Sequence, residues 1–567
     1  MKRNTLLLIL CCLFTQLTMA QTPKWLEKAK LAVFSVVTYD KDNNMINSGN
    51  GFFVSDDGTA LSDYASFMGA ERAVVINSAG QKMDVETILG ANSMYDVIKF
   101  KVNTGNKKVP TLTVASAPSI QGNDVYLLPY STQKDKSFTA GKVTETSTMG
   151  EGLSYYTLSL ALGDKQVSCP VLNADGNVVG IAQKATGKDA GSQCYAVDAK
   201  YGMSLSINPL SISDITYKNI GIKKGLPTAE DEALVNLFMA SGQVSPEEYA
   251  RLLDEFISQF PNSVDGYIRR ATNYVYTSTD ESNIQKAAND LAKALSVAKK
   301  KDEVHFNAAK LIYTYQLTGP EQKYKDWTMD KALAEIRSAI TIDPLPIYIQ
   351  QEGDILFAQK NYEGALEAYD KVNESNLASS QSFYNAAKTK EVMGRDINEV
   401  IALMDSCVLR VPIPINASDA AYFLERANLY MQTEQYRLAM LDYDTYYKSV
   451  RGDVNDVFYY YREQAALNAR QFQRALDDIN MAIKLNAKEP TYHTELGVIN
   501  LRVGRYEEAE KAFNQTIALA PDYAEAYRLK GVALQQQKKL DEACESFKKA
   551  KELGDTIVDS LIEKVCK

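Results

Sequence analysis

The sequence predicts a multidomain chain: an all-β domain of the barrel or sandwich kind comes first, and an all-α array of repeated helix pairs follows. Three observations predict this. Up to about residue 201, short apolar or alternating runs are separated by turn-forming dipeptides. After about residue 228 the composition shifts to Ala, Leu, Glu, Lys and Tyr. Within that second part, small, aromatic and proline residues return every 34 residues or so.

The N-terminus reads as a type I signal peptide over residues 1–20. Lys2 and Arg3 give a basic start, Leu6 to Phe14 is apolar, and Thr18-Met19-Ala20 places small residues at the cleavage position. Cys11 is the alternative reading, a lipid-anchor cysteine, but bulky Ile9 and Leu10 precede it. No later run of eighteen apolar residues occurs, so no transmembrane segment is expected and the mature chain should be soluble. Export places the protein in the periplasm or cell envelope. Hydrophobic residues at 45% and charged residues at 23% give a globular balance. Loss of Lys2 and Arg3 takes the formal net charge from −9 to −11, which argues against nucleic acid as a partner.

The β region, residues 21–205, is built from runs such as LAVFSVVTY (31–39), AVVIN (73–77), DVYLLPY (124–130), YYTLSL (155–160) and NVVGIAQ (177–183). Asp57-Gly58, Ala79-Gly80 and Asp175-Gly176 punctuate them. Residues 206–227 carry few helical or core signals and read as a linker.

Residues 228–555 read as the repeat array, clearest over 345–555. Leu496-Gly497, Gly504, Tyr506, Ala509, Phe513 and Pro521 recur 34 residues on as Gly531, Ala543, Phe547 and Ala550, and 34 back as Phe472, Ala475, Ile479 and Ala482. Earlier copies carry Tyr436, Ala439 and Tyr443, and Gly353, Tyr362, Ala365 and Tyr369. Small residues let two helices approach, an aromatic fills the space between them, and proline ends the second helix. The pattern resembles the tetratricopeptide repeat. That resemblance implies a superhelical solenoid with a concave face lined by first helices, capped here by residues 556–567.

Three β-region segments carry a second resemblance. The first is Ser48-Gly49-Asn50-Gly51-Phe52-Phe53-Val54 with Leu61-Ser62-Asp63-Tyr64-Ala65. The second is Tyr95-Asp96-Val97-Ile98-Lys99-Phe100. The third is Lys165-Gln166-Val167-Ser168-Cys169-Pro170-Val171, followed by Asp175-Gly176 and Val178-Val179-Gly180-Ile181. Together they resemble the trypsin-like serine proteases of the Deg/HtrA kind, which implies a double β-barrel. The family's catalytic histidine then falls on Ala65, its aspartate on Asp96, its serine on Val167 and its oxyanion glycine on Lys165. A serine nucleophile needs a base and an oxyanion hole. The only histidines, His305 and His493, lie in the repeats. The sequence therefore predicts a degenerate, non-catalytic domain. The alternative is a one-residue slip that makes Ser168 the nucleophile with a lysine such as Lys165 as base.

Of the five cysteines outside the signal peptide, Cys169 and Cys194 fall in late β-strands and read either as a disulfide or as two buried thiols. Cys544 and Cys566 could clasp the last repeat, and Cys407 has no evident partner. With two histidines and no C-x-x-C pair, neither a metal site nor a cofactor is expected. The groove of the repeats should present Asn428, Tyr460, Gln464, Asn468, Glu495, Arg502 and Arg528 to a protein or peptide partner. Arg502 and Arg528 either hold a carboxylate together or are solvated surface. The functional expectation is an exported interaction protein or scaffold. Its rivals are an active endopeptidase using Ser168 and an architectural spacer in the envelope; the oligomeric state is left open.

Overall fold

The computed structural model describes residues 23–132, 138–150, 152–185, 191–320 and 323–566; the expected signal peptide lies outside the described residues. Two compact units divide the chain, residues 1–298 and 299–567, and each is described by itself.

The first unit opens with two closed antiparallel barrels. One has the order β1-β2-β3-β6-β5-β4, formed by β1 (Val33–Tyr39), β2 (Met45–Phe53), β3 (Thr59–Ser62), β4 (Arg72–Ile76), β5 (Lys82–Asn92) and β6 (Val97–Val102). The other has the order β10-β11-β12-β9-β8-β7, formed by β7 (Asp124–Leu127), β8 (Thr139–Met149), β9 (Leu153–Leu158), β10 (Pro170–Leu172), β11 (Val178–Lys184) and β12 (Cys194–Asp198).

Strand alternation decides which core each side chain enters. In β1, Phe34 and Val36 point into the first barrel beside Phe53, Phe67 and Phe100, while Val33 joins the seam between barrels with Phe52, Leu61, Leu172, Ile181 and Val197. The second barrel closes on Val125, Leu127, Val143, Tyr156, Leu158, Cys169 and Cys194. The turn at Asp57-Gly58 needs its glycine: Gly58 has φ +92° and an added Cβ would stand 2.6 Å from the Val102 carbonyl oxygen.

The segment 206–227 is more than a linker, which corrects the sequence reading. Ile207, Tyr217, Ile220 and Ile222 are buried in the first barrel's core. The Tyr217 hydroxyl accepts from Ala91 N–H at 3.0 Å, and Gly221 N–H donates to the Ala70 carbonyl at 2.7 Å. Its apolar residues are spaced irregularly because they anchor a strap, not a periodic element. Helices Glu230–Ala240, Pro246–Gln259, Val264–Thr277 and Glu281–Val297 complete this unit.

The second unit is a run of antiparallel helix pairs, from Asp302–Thr318 with Met329–Ile342 to Ala524–Gln536 with Leu540–Glu552, ending in Asp559–Val565. Close approach within pairs follows the small-to-aromatic pattern. A Cβ on Gly353 would meet the Tyr369 ring at 2.6 Å, and one on Gly497 or Gly531 would collide with Phe513 or Phe547. A recurrent ionic tie joins neighbouring helices. The Arg426 guanidinium binds Asp442 at 2.8 Å through two nitrogens and reaches Asp405 at 2.8 Å with a third. Arg462 does the same with Asp478 and Asp444. In the first unit Arg270 repeats it with Asp290 and Asp254. Planar fork-to-carboxylate pairing fixes both spacing and angle between helices.

Candidate functional site

Ala65 begins a short 3-10 turn after β3 and is exposed. Its N–H donates to Asp96 Oδ1 at 2.7 Å. Asp96 sits in the β5–β6 turn at φ +50°, half-buried. Burial, with Asp63 nearby, raises its carboxyl above the ordinary carboxylate range. Around this pair lies a cavity of about 380 Å³, lined also by Tyr64, Met68, Ser93, Ile215 and Thr216. The positions that the resemblance assigns to the family's histidine and aspartate are thus adjacent, and the first of them carries only a methyl group.

Val167, which the resemblance assigns to the family's serine position, is half-buried in the loop before β10. This loop is stapled to the first barrel. The buried Asn50 amide donates to the carbonyls of Lys165 at 2.9 Å and Val167 at 2.7 Å, and its oxygen accepts from Tyr130 N–H at 2.9 Å. Ser168 is fully buried at φ +66°, and its hydroxyl donates to the Asp63 carboxylate. Asp63 also accepts from Ser66 N–H at 2.8 Å and Ser62 Oγ at 3.2 Å. Lys165 is exposed. The Ser168 hydroxyl is thus engaged with a carboxylate that accepts from two further donors.

Cys169 and Cys194 are free, buried thiols, so the disulfide considered between them is not formed. Burial raises both, Cys194 to about 11, which keeps them protonated and unreactive. Cys407 is a third buried free thiol, and Cys544 and Cys566 are joined in a disulfide.

In the repeats, Asn428, Tyr460 and Gln464 line one cavity of about 1080 Å³ with Leu424, Met431 and Phe458. Asn428 accepts from the Tyr443 hydroxyl at 3.0 Å, and Asn468 lies exposed a turn further along, donating to the Gln464 carbonyl at 2.9 Å. Arg502 is exposed. Arg528 is not available as its expected partner: it binds Asp555 and Glu525, both at 2.7 Å, with its side chain only 18% exposed. The two-arginine carboxylate holder is therefore corrected. Sequence reasoning also missed Glu463, which is fully buried beside Gln464.

Residues 49–181 match the trypsin-like peptidase domain, and residues 464–515 and 500–556 match the tetratricopeptide repeat. The chain carries a trypsin-like peptidase domain fused to tetratricopeptide repeats. The chain is 27% identical over 137 residues to a probable periplasmic serine endoprotease, DegP-like, of Halomonas elongata. That match covers 24% of this chain, and the chain spans 28% of the length of that relative. Two solved structures also align, the HtrA-type protease AlgW with tripeptide and a variant of it with tripeptide. Each is 19% identical, covers 31% of this chain and 60% of the other, and has a TM-score of 0.28. Among the described residues of the trypsin-like domain and the repeats, no helix is long and apolar enough to cross a membrane, and no cluster of potential metal ligands occurs.

Proposed function

We propose that this is an exported, non-catalytic interaction protein, with a peptidase-like domain that no longer turns over substrate and repeats that hold a protein or peptide. The observation that carries the reading is the state of the one hydroxyl beside the nucleophile position. Ser168 is buried and bonded to Asp63, in a domain that has alanine and valine where the family has histidine and serine. Loss of the serine or histidine alone costs roughly a millionfold in rate. The relative's name, periplasmic, agrees with the signal-type N-terminus and supports a place in the envelope.

A serine-reactive fluorophosphonate probe tests the first half. The full chain should remain unlabelled; labelling that disappears in Ser168→Ala would restore the endopeptidase reading. For the second half, capture from envelope extract by the full chain should be lost with Tyr460→Ala. A spacer would retain nothing that depends on that residue.

A further inference from the structure

Among the side chains lining the cavity of about 380 Å³ beside Ala65, the only charged one is Asp96. Its carboxylate is held by backbone, with Ala65 N–H on Oδ1 at 2.7 Å, and no cation reaches it among the described residues. Asp96 is half-buried, so the group still opens into the cavity. The neighbouring acid, Asp63, is occupied: Ser168, Ser66 N–H and Ser62 all donate to it. A carboxylate drawn partly out of water without an opposite charge is costly, and a cation seated on it offsets that cost.

The rest of the lining supplies hydroxyls and an apolar rim. The Ser93 and Thr216 hydroxyls lie 3.1 Å apart, and the Tyr64 hydroxyl donates to the Thr216 carbonyl at 3.1 Å. These bonds fix the strap at 206–227 against the turn that carries Asp96. Met68 and Ile215 line the same cavity and are 53% and 66% exposed, so two large apolar side chains stand in water beside the carboxylate. That combination matches a ligand with an aliphatic stem and a cationic tip. Of the two basic side chains, the geometry favours lysine. Oδ1 is engaged by Ala65 N–H, whereas a guanidinium fork takes both oxygens of a carboxylate. An ammonium is a compact charge that needs one oxygen and finds hydroxyls for its other protons.

We propose that the cavity between the β5–β6 turn, the 3-10 turn at Ala65 and the strap binds a lysine side chain of a partner polypeptide, with its stem against Met68 and Ile215 and its ammonium on Asp96. This adds a binding site in the first barrel to the one proposed for the repeats, and it does not depend on that one.

The test uses the full chain and the peptide fluorescein-Ala-Ala-Lys-Ala-Ala-amide, with norleucine and arginine counterparts, read by fluorescence anisotropy. The lysine peptide should bind at least about tenfold tighter than the norleucine one, the effect of about one charge-assisted hydrogen bond, with the arginine peptide between them. Asp96→Asn should remove that preference. Asparagine tolerates the φ of +50° and still offers an oxygen to Ala65 N–H, so the turn is kept. Met68→Lys, at an exposed position, should give the same loss by setting a tethered ammonium at the rim, and it decides the question if Asp96→Asn misfolds. Glu145→Gln, an equal charge change at an exposed position on the second barrel, should leave the preference intact. Equal binding of the lysine and norleucine peptides, or a preference that survives Asp96→Asn, would overturn the proposal. A preference that Tyr460→Ala removes and Asp96→Asn spares would assign the lysine to the repeats, overturning the barrel site while leaving the peptide-binding reading of the repeats. Binding of none of the three peptides would overturn the barrel site as well.

Discussion

The Ser168 hydroxyl and the Asp63 carboxylate meet in the buried interface between the loop before β10 and the first barrel, 105 residues apart in sequence. This bond ties the loop before β10, at the start of the second barrel's closing strands, to the first barrel. Ser168→Ala should destabilise the trypsin-like domain by about 1 to 3 kcal/mol, and so lower its unfolding midpoint, because it leaves a buried carboxylate short of a donor. Ser168→Gly should cost less, since glycine relieves the φ of +66° while losing the same bond. Thermal unfolding followed by near-UV circular dichroism separates the two.

Asn50 is the second fastening of that loop, with three hydrogen bonds at 2.7 to 2.9 Å. Asn50→Ala should loosen residues 163–169. Lys165 is exposed, so trypsin should nick the variant after Lys165 several times faster than the parent, read by mass spectrometry of early fragments. An unchanged nicking rate would show that the loop is held without Asn50.

In the repeats, Gly497→Ala places a methyl group inside the Phe513 ring and should destabilise by about 1 to 3 kcal/mol. Adding Phe513→Ile should recover much of the loss, because a smaller second-helix side chain leaves room for the methyl group; one repeat earlier the equivalent positions are Glu463 and Ile479, both buried. A double-mutant cycle in urea measures the coupling.

The Cys544–Cys566 disulfide closes a separation of 22 residues across the last helix pair and the terminal helix. Reduction, or Cys566→Ser, should cost about 3 kcal/mol. The faster amide exchange should be confined to residues 540–565, because each repeat contacts only its neighbours.

What was legible in the sequence followed physical periodicity. β1, β4 and β11 fall where alternating runs ended at turn residues, and the Gly497–Phe513 relation was visible as spacing alone. β8 was not, because over Thr139–Met149 only Val143 and Met149 are buried and no alternation marks it. The strap at 206–227 was missed because anchoring side chains need no period. Ser168 with Asp63, and Arg462 with Asp478 and Asp444, were missed because a sequence does not show which polar residues meet. Glu463 stands where the next two repeats carry Gly497 and Gly531, and only its burial shows that the larger side chain is taken inside.

Glu463 also sets a pH dependence. Burial, then the neighbouring Glu495, pushes its carboxyl from an ordinary 4.5 up to about 8. Gln464 donates to it and Asp478, from the second helix of the pair, adds a further negative charge, while Arg462 is engaged with Asp478. A folded state that holds the proton more tightly than the unfolded one loses stability as pH rises between those two values. At full ionisation the loss from this group is on the order of 4 kcal/mol. The repeats should therefore be more stable at pH 5 than at pH 9, and Glu463→Gln should flatten the difference by stabilising the chain at the alkaline end. Urea midpoints at both pH values decide it: a Glu463→Gln curve parallel to that of the parent would mean that the carboxyl is already ionised and solvated in the folded repeats.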